Sequence, residues 1–127
     1  MKIKLNNVLV DNQEKALKFY TEVLGFVKKN DIPFGQFRWL TVVSPDEPNG
    51  TELVLEPDEN PAAKTFKKAL FEQGIPLTAF QVDDLEKEYA RMKKLDVAFK
   101  KPPTQMGPVT LAMFDDTCGN FIQIYQV

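Results

Sequence analysis

The sequence predicts an α+β fold: two tandem βαβββ modules forming an eight-stranded, mostly antiparallel, cupped sheet with the helices outside. Three observations carry this. Strand-like runs alternate with stretches whose apolar residues recur at helical spacing. The segment LNNVLVDNQEKALKFYTEVLGF lies over LTAFQVDDLEKEYARMKKLDVAF, so that Val10 meets Val82, Asp11 meets Asp83, Glu14 meets Glu86 and Lys15 meets Lys87. Further on, GTELVLE lies over GNFIQIYQ, so that Leu53 meets Ile122 and Leu55 meets Ile124.

Residues 2–10 read as a strand covered on both sides, with Ile3, Leu5 and Leu9 on one parity and Val8 and Val10 on the other. Asp11 with Glu14 forms a D-x-x-E pattern that suits a helix N-terminus. Ala16, Leu17, Tyr20, Val23 and Leu24 then form a helical stripe, and Gly25 suits the position just past its end. A short strand is expected at 26–29, a longer one at 36–44, a turn at PDEPNG and a strand at 51–56. Asn60 caps and Pro61 opens a linking helix that closes at Gly74, with Ala62, Phe66, Ala69 and Leu70 as its stripe.

The second module repeats the plan. It has a strand at 77–82, a cap at Asp83 with Glu86, and a stripe of Leu85, Tyr89, Met92 and Leu95. A short strand at 97–101 and a loop KPPTQMGP follow, then the strands VTLAMFDD and NFIQIYQV separated by a turn at DTCG. The expected organisation is one domain over 1–127, with modules at about 1–57 and 76–127 joined by the helix at about 60–73.

Composition narrows the functions. A chain of 127 residues fits one sizeable core. Its net charge of −2 lacks the basic excess that holds phosphate backbones, so no nucleic-acid partner is expected. The lysine pairs, Lys67–Lys68 among them, read as solvated faces. No run approaches the ~18 apolar residues of a membrane span, and no membrane partner is expected. A single cysteine, Cys118, excludes an internal disulfide and fits a reduced, cytoplasmic protein. It has no histidine to activate it as a nucleophile. The complete absence of histidine also removes the commonest neutral-pH base and the commonest transition-metal ligand. Only an oxygen-rich site for Mg, Ca or Mn stays open.

VDNQEKALKFYTEVLGF early in the chain and FDDTCGNFIQIYQ at its end resemble the glyoxalase/bleomycin-resistance/extradiol dioxygenase superfamily, the vicinal oxygen chelate fold. The first signature runs from Val10 to Phe26. The second is met by Phe114, Asp116, Gly119 and Asn120, with Thr117 where proline is usual. The resemblance implies four metal-ligand positions, one on each of four strands lining the cup. They fall at Leu5, Val54, Leu77 and Gln123. Leucine and valine donate no lone pair, so no metal and no cofactor is expected. Metal-free members of the family bind a small molecule in the same cup.

Glu52, Val54 and Glu56 share one strand face, as do Phe121, Gln123 and Tyr125; the alternate positions are uniformly apolar. The mixed face is therefore the expected concave one. Its candidate ligand-binding residues are Asn7, Arg38, Trp39, Glu52, Glu56, Gln123 and Tyr125. Arg38 and Trp39 are adjacent and face opposite sides, and the sequence does not choose between them. Glu52 and Glu56 stand roughly 13 Å apart along a strand, beyond the ~5–9.5 Å of a paired acid and base. No catalytic residue is named.

Three functions follow. The first is metal-independent binding of a small organic ligand, in the manner of bleomycin-resistance proteins. The second is a glyoxalase- or dioxygenase-like lyase or oxidoreductase with a displaced, oxygen-only site at Glu52, Glu56 and Gln123. The third is an interaction module whose cup is filled by side chains, which the lack of any pocket of roughly 300 Å³ would favour. The resemblance also implies a homodimer.

Overall fold

The computed structural model describes all residues, Met1–Val127. Its eight strands form two four-stranded sheets, one for each βαβββ module, rather than one continuous ladder. Two compact units result, Met1–Lys64 and Thr65–Val127, with the division falling inside the linking helix.

The first unit runs β1 (Leu5–Val10), α1 (Gln13–Lys18), β2 (Val27–Phe34), β3 (Phe37–Val43) and β4 (Glu52–Pro57). Its sheet order is β1-β4-β3-β2, with β1 parallel to β4 and the other pairs antiparallel. Asn12, one residue beyond the expected Asp11, caps α1 by accepting from the Lys15 amide at 3.0 Å. Asp11 instead pairs with the Lys15 ammonium at 3.0 Å. After Lys18 the helix widens into a π turn over Phe19–Val23, and Gly25 ends it at φ +86°. Val8, Val10, Ala16, Tyr20, Leu40, Val42 and Leu55 are fully buried and form this unit's core.

The second unit carries most of α2 (Pro61–Gln73), then β5 (Thr78–Gln81), α3 (Leu85–Lys94), β6 (Phe99–Met106), β7 (Val109–Asp115) and β8 (Phe121–Gln126). The order β5-β8-β7-β6 repeats the first sheet, with β5 parallel to β8. Asn60 caps α2 as expected, accepting from the Ala62 amide at 2.9 Å, and Gly74 closes it at φ +69°. The α3 cap is Asp84, not Asp83, the same one-residue displacement as in α1. In both helices the extended strand continues one residue further before turning.

Two strands are longer than expected, and both are edges. β2 extends through Asn30, Asp31 and Pro33, and β6 extends through Pro102 and Pro103. Both carry register shifts. Proline survives on an edge because its missing N–H faces away from the ladder. Each strand ends at a two-residue turn opened by a positive-φ glycine, Gly35 or Gly107.

The turn between β7 and β8 is held by a buried carboxylate. Asp116 accepts from the amides of Cys118 at 2.8 Å and Asn120 at 3.0 Å, and from the Asn120 side chain at 2.9 Å. Lys67 departs from the solvated-pair reading. It is 5% exposed and donates to the Cys118 carbonyl at 2.7 Å, while only its neighbour Lys68 is in solvent. Gly119 sits at φ +95°, and a Cβ there would lie 2.9 Å from the end of Lys67. Thr117 takes φ +65°, a conformation that proline, fixed near −65°, cannot reach. The turn therefore needs a residue other than the family's usual proline.

The two sheets differ at one seam. β7 and β8 pair continuously from Thr110↔Gln126 to Asp115↔Phe121. The equivalent β3–β4 ladder is limited to Thr41↔Val54 and Val42↔Leu53. Beyond it the Gln13 side chain takes over. Its amide nitrogen donates to the Arg38 carbonyl at 2.8 Å and the Leu55 carbonyl at 2.9 Å, and its oxygen accepts from the Arg38 amide at 3.0 Å. A side chain on α1 thus satisfies backbone groups of both strands where the strands part. The repeat counterpart of Gln13 is Leu85, which is buried and packs as an apolar residue.

Two expectations follow. Gln13→Leu leaves three partly buried backbone groups without partners and is expected to lower stability by about 2–3 kcal/mol, read from the urea midpoint. Gly119→Ala is expected to cost more than Gly25→Ala. Both meet the left-handed backbone penalty of about 1–2 kcal/mol, but Gly25 has open space and Gly119 has Lys67 against it. Parallel unfolding curves of the two variants check this.

Candidate functional site

The pocket of the first unit lies where β3 and β4 separate. It is a shallow, open depression of about 210 Å³ lined by Leu5, Asn6, Asn7, Trp39, Val54 and Glu56. Extending the Thr41↔Val54 register places Trp39 of β3 across from Glu56 of β4. Asn7 is the direct ladder partner of Val54 on the other side. The volume is below the ~300 Å³ at which small-molecule sites commonly begin.

Five residues singled out from the sequence meet here: Leu5, Asn7, Trp39, Val54 and Glu56. Trp39 is 38% exposed and Leu5 is 51% exposed, so both present apolar surface to the opening. The Asn7 amide donates to Glu56. Glu52, on the same strand face, accepts at 2.8 Å from both Thr41 and Asn30, so one of its oxygens is committed to the sheet.

Arg38 lies elsewhere. Its pleat position turns it to the side opposite Trp39. There its guanidinium forks onto Asp31, at 2.9 and 2.7 Å, and reaches Glu14 of α1 at 2.7 Å. Asp31 holds the β2 edge to β3 through this pair, and Lys28 adds a weaker contact at 3.5 Å. The structure uses Arg38 as a tie between helix and hairpin, not as an anion receptor in the pocket.

Gln123 and Tyr125 stand on β8 of the second unit and are half-buried. Gln123 lies between Ala79 of β5 and Met113 of β7; Tyr125 lies between Gln81 and Leu111. Neither side chain hydrogen-bonds to protein, so both keep their polar groups for solvent or a ligand. Leu77 precedes β5, and its amide donates to the Phe121 carbonyl at 2.8 Å.

The pocket's donor set does not suit a divalent ion. Leu5, Val54 and Trp39 offer no oxygen, and Asn7 and Glu56 are bonded to each other. No group of three or more Asp, Glu, Cys or His side chains is gathered anywhere that could hold a metal. Six or more oxygens would be needed for Ca or Mg. Gln13, which props the seam, was not singled out from the sequence. The signal was its mismatch with Leu85 in an otherwise close repeat.

Acid sensitivity follows from the Arg38 tie. The Arg38 hydrogen bonds hold Asp31 down to about 2 from its ordinary 3.8. A lowered carboxyl pKa contributes stability above the unfolded value and loses it as pH falls through the folded one. Wild type is therefore expected to lose melting temperature between pH 4 and pH 2, and Asp31→Asn to lose less over that window. Thermal melts across pH check this.

The sequence matches the Glyoxalase/Bleomycin resistance protein/Dioxygenase superfamily over residues 2–124. It is 57% identical over 126 residues to the uncharacterized protein YurT of Bacillus subtilis (strain 168), covering 99% of each chain. Among solved structures it is similar to UcmS2, with a TM-score of 0.84 and 30% identity over 98% of this chain and 97% of that one. It is also similar to TnmS3, an antibiotic binding protein from Streptomyces sp. CB03234, with a TM-score of 0.75 and 29% identity over 99% and 95% of the chains. The chain belongs to the Glyoxalase/Bleomycin resistance protein/Dioxygenase superfamily.

Proposed function

We propose that this protein binds a small organic molecule without a metal ion and does no chemistry on it. The observation that carries this reading is the pocket itself. Its walls are Leu5, Val54 and the Trp39 indole, and its polar edge is the Asn7–Glu56 pair. Two of the positions where the family resemblance puts metal ligands, Leu5 and Val54, are pocket walls with no lone pair. Similarity to a protein described as antibiotic binding supports the same reading.

An enzyme would need a nucleophile, a base or a Lewis acid beside the ligand. The chain has no histidine and its one cysteine is buried. Glu56 is the one titratable group on the pocket wall. In the second unit, Gln123 and Tyr125 are proposed as uncharged ligand contacts of their own in this reading. It also includes a cytoplasmic homodimer. No helix is long and apolar enough to cross a membrane. The open apolar surface of β2, with Phe34 76% exposed and Ile32 53% exposed, gives a second copy something to cover.

Native mass spectrometry of untagged protein purified without chelator tests this. The expected result is a metal-free dimer, with an organic adduct in some preparations. One metal ion per chain would overturn the reading and restore a lyase or oxidoreductase with displaced ligands.

A further inference from the structure

We propose that the pocket selects a planar aromatic ligand bearing a protonated amine. This deepens the binding reading above and rests on it.

Glu56 is an exposed acidic side chain, hydrogen-bonded only to the Asn7 amide. No lysine or arginine lines the pocket. Arg38, next to Trp39 in the chain, is turned to the opposite side and already holds two carboxylates, and the Lys4 ammonium, next to Leu5, donates to the Asn49 carbonyl. Glu52, further along the same face, likewise meets only neutral donors. The pocket edge therefore carries a carboxyl group with no cationic side chain among its six lining residues.

The orientation of Asn7 sharpens this. Only its NH₂ can face a carboxylate, so its carbonyl oxygen is the group left over. Asn7 and Glu56 together then present acceptors. The remaining neutral donors are the Asn6 amide, whose oxygen is taken by the Asn7 N–H at 2.9 Å, and the Trp39 indole N–H. Trp39 also offers a flat face across the seam from Glu56. An aromatic ring can stack on that face, while an ammonium group meets the carboxylate and the ring's negative quadrupole. A carboxylate or sulfonate ligand would instead meet uncompensated like charge.

Three naphthalene probes with one ring system separate the contributions: 2-naphthylmethylamine, 2-naphthylmethanol and 2-naphthoate. Trp39 is the single tryptophan, so its indole signal in a ¹H–¹⁵N spectrum reports this pocket alone. All three are titrated into the wild-type protein and into Glu56→Gln. The expected result is that the amine shifts the Trp39 indole signal at about tenfold lower concentration than the alcohol. The naphthoate should bind weakest, and Glu56→Gln should bring the amine and the alcohol together. Equal affinity for amine and alcohol, with Trp39 shifting in both, would overturn the charge selection and leave small-molecule binding standing. No shift of Trp39 with any probe at millimolar concentration would overturn both.

Discussion

The Gln13 side chain, wedged between two strand backbones, is the interaction on which the parting of β3 from β4 depends. A β-sheet resists opening because each broken ladder bond strands a donor or an acceptor, and a buried unpaired group costs about 1–3 kcal/mol. Gln13 removes that penalty on both sides at once. It gives Arg38 both an acceptor and a donor, and it gives Leu55 a donor. The strands can then part without leaving these groups unsatisfied. The space between them becomes the pocket, with Trp39 on one bank and Glu56 on the other. α1 is fixed by the same contact, and the Arg38 guanidinium reinforces it by reaching Glu14.

The second unit shows what happens without such a wedge. Leu85 replaces Gln13 in the repeat, and β7 and β8 zip together over their whole length. Its polar investment lies instead at the turn, where Asp116, Asn120 and Lys67 enclose the backbone around Cys118 and Gly119. A buried carboxylate there accepts from two amides and a side chain, so its hydrogen-bonding capacity is used within the protein. One repeat spends its polar side chains on opening a seam, the other on locking a corner.

Much of this fold was legible in the sequence because repeats and helix punctuation are local signals. The Val10/Val82 and Leu55/Ile124 correspondences set the module plan. Asn60, Gly25 and Gly74 marked helix ends at the right places. The edge strands were underestimated because Asn30, Asp31, Pro33, Pro102 and Pro103 all disfavour strands by propensity; edge position overrides that preference. The helix caps were misplaced by one residue because both members of Asp11–Asn12 and Asp83–Asp84 are good caps, and only backbone direction separates them. The site was half legible. Alternation placed Asn7, Val54 and Glu56 on one face. It could not choose between Arg38 and Trp39, because that choice depends on where Asp31 and Glu14 fall. Lys67 was misread because its burial is set by a turn some fifty residues away in sequence.

The wedge has an evolutionary consequence. Residues at an ordinary strand pair are constrained twice, by side-chain packing and by the register of the ladder. Positions 39 and 56 face each other across a gap where that ladder has already ended. Substitutions there can change the shape and charge of the opening while Val8, Val10, Leu40, Val42 and Leu55 keep the scaffold unchanged on the other face. A lineage carrying this arrangement can remodel the opening by altering two side chains, with little risk to folding.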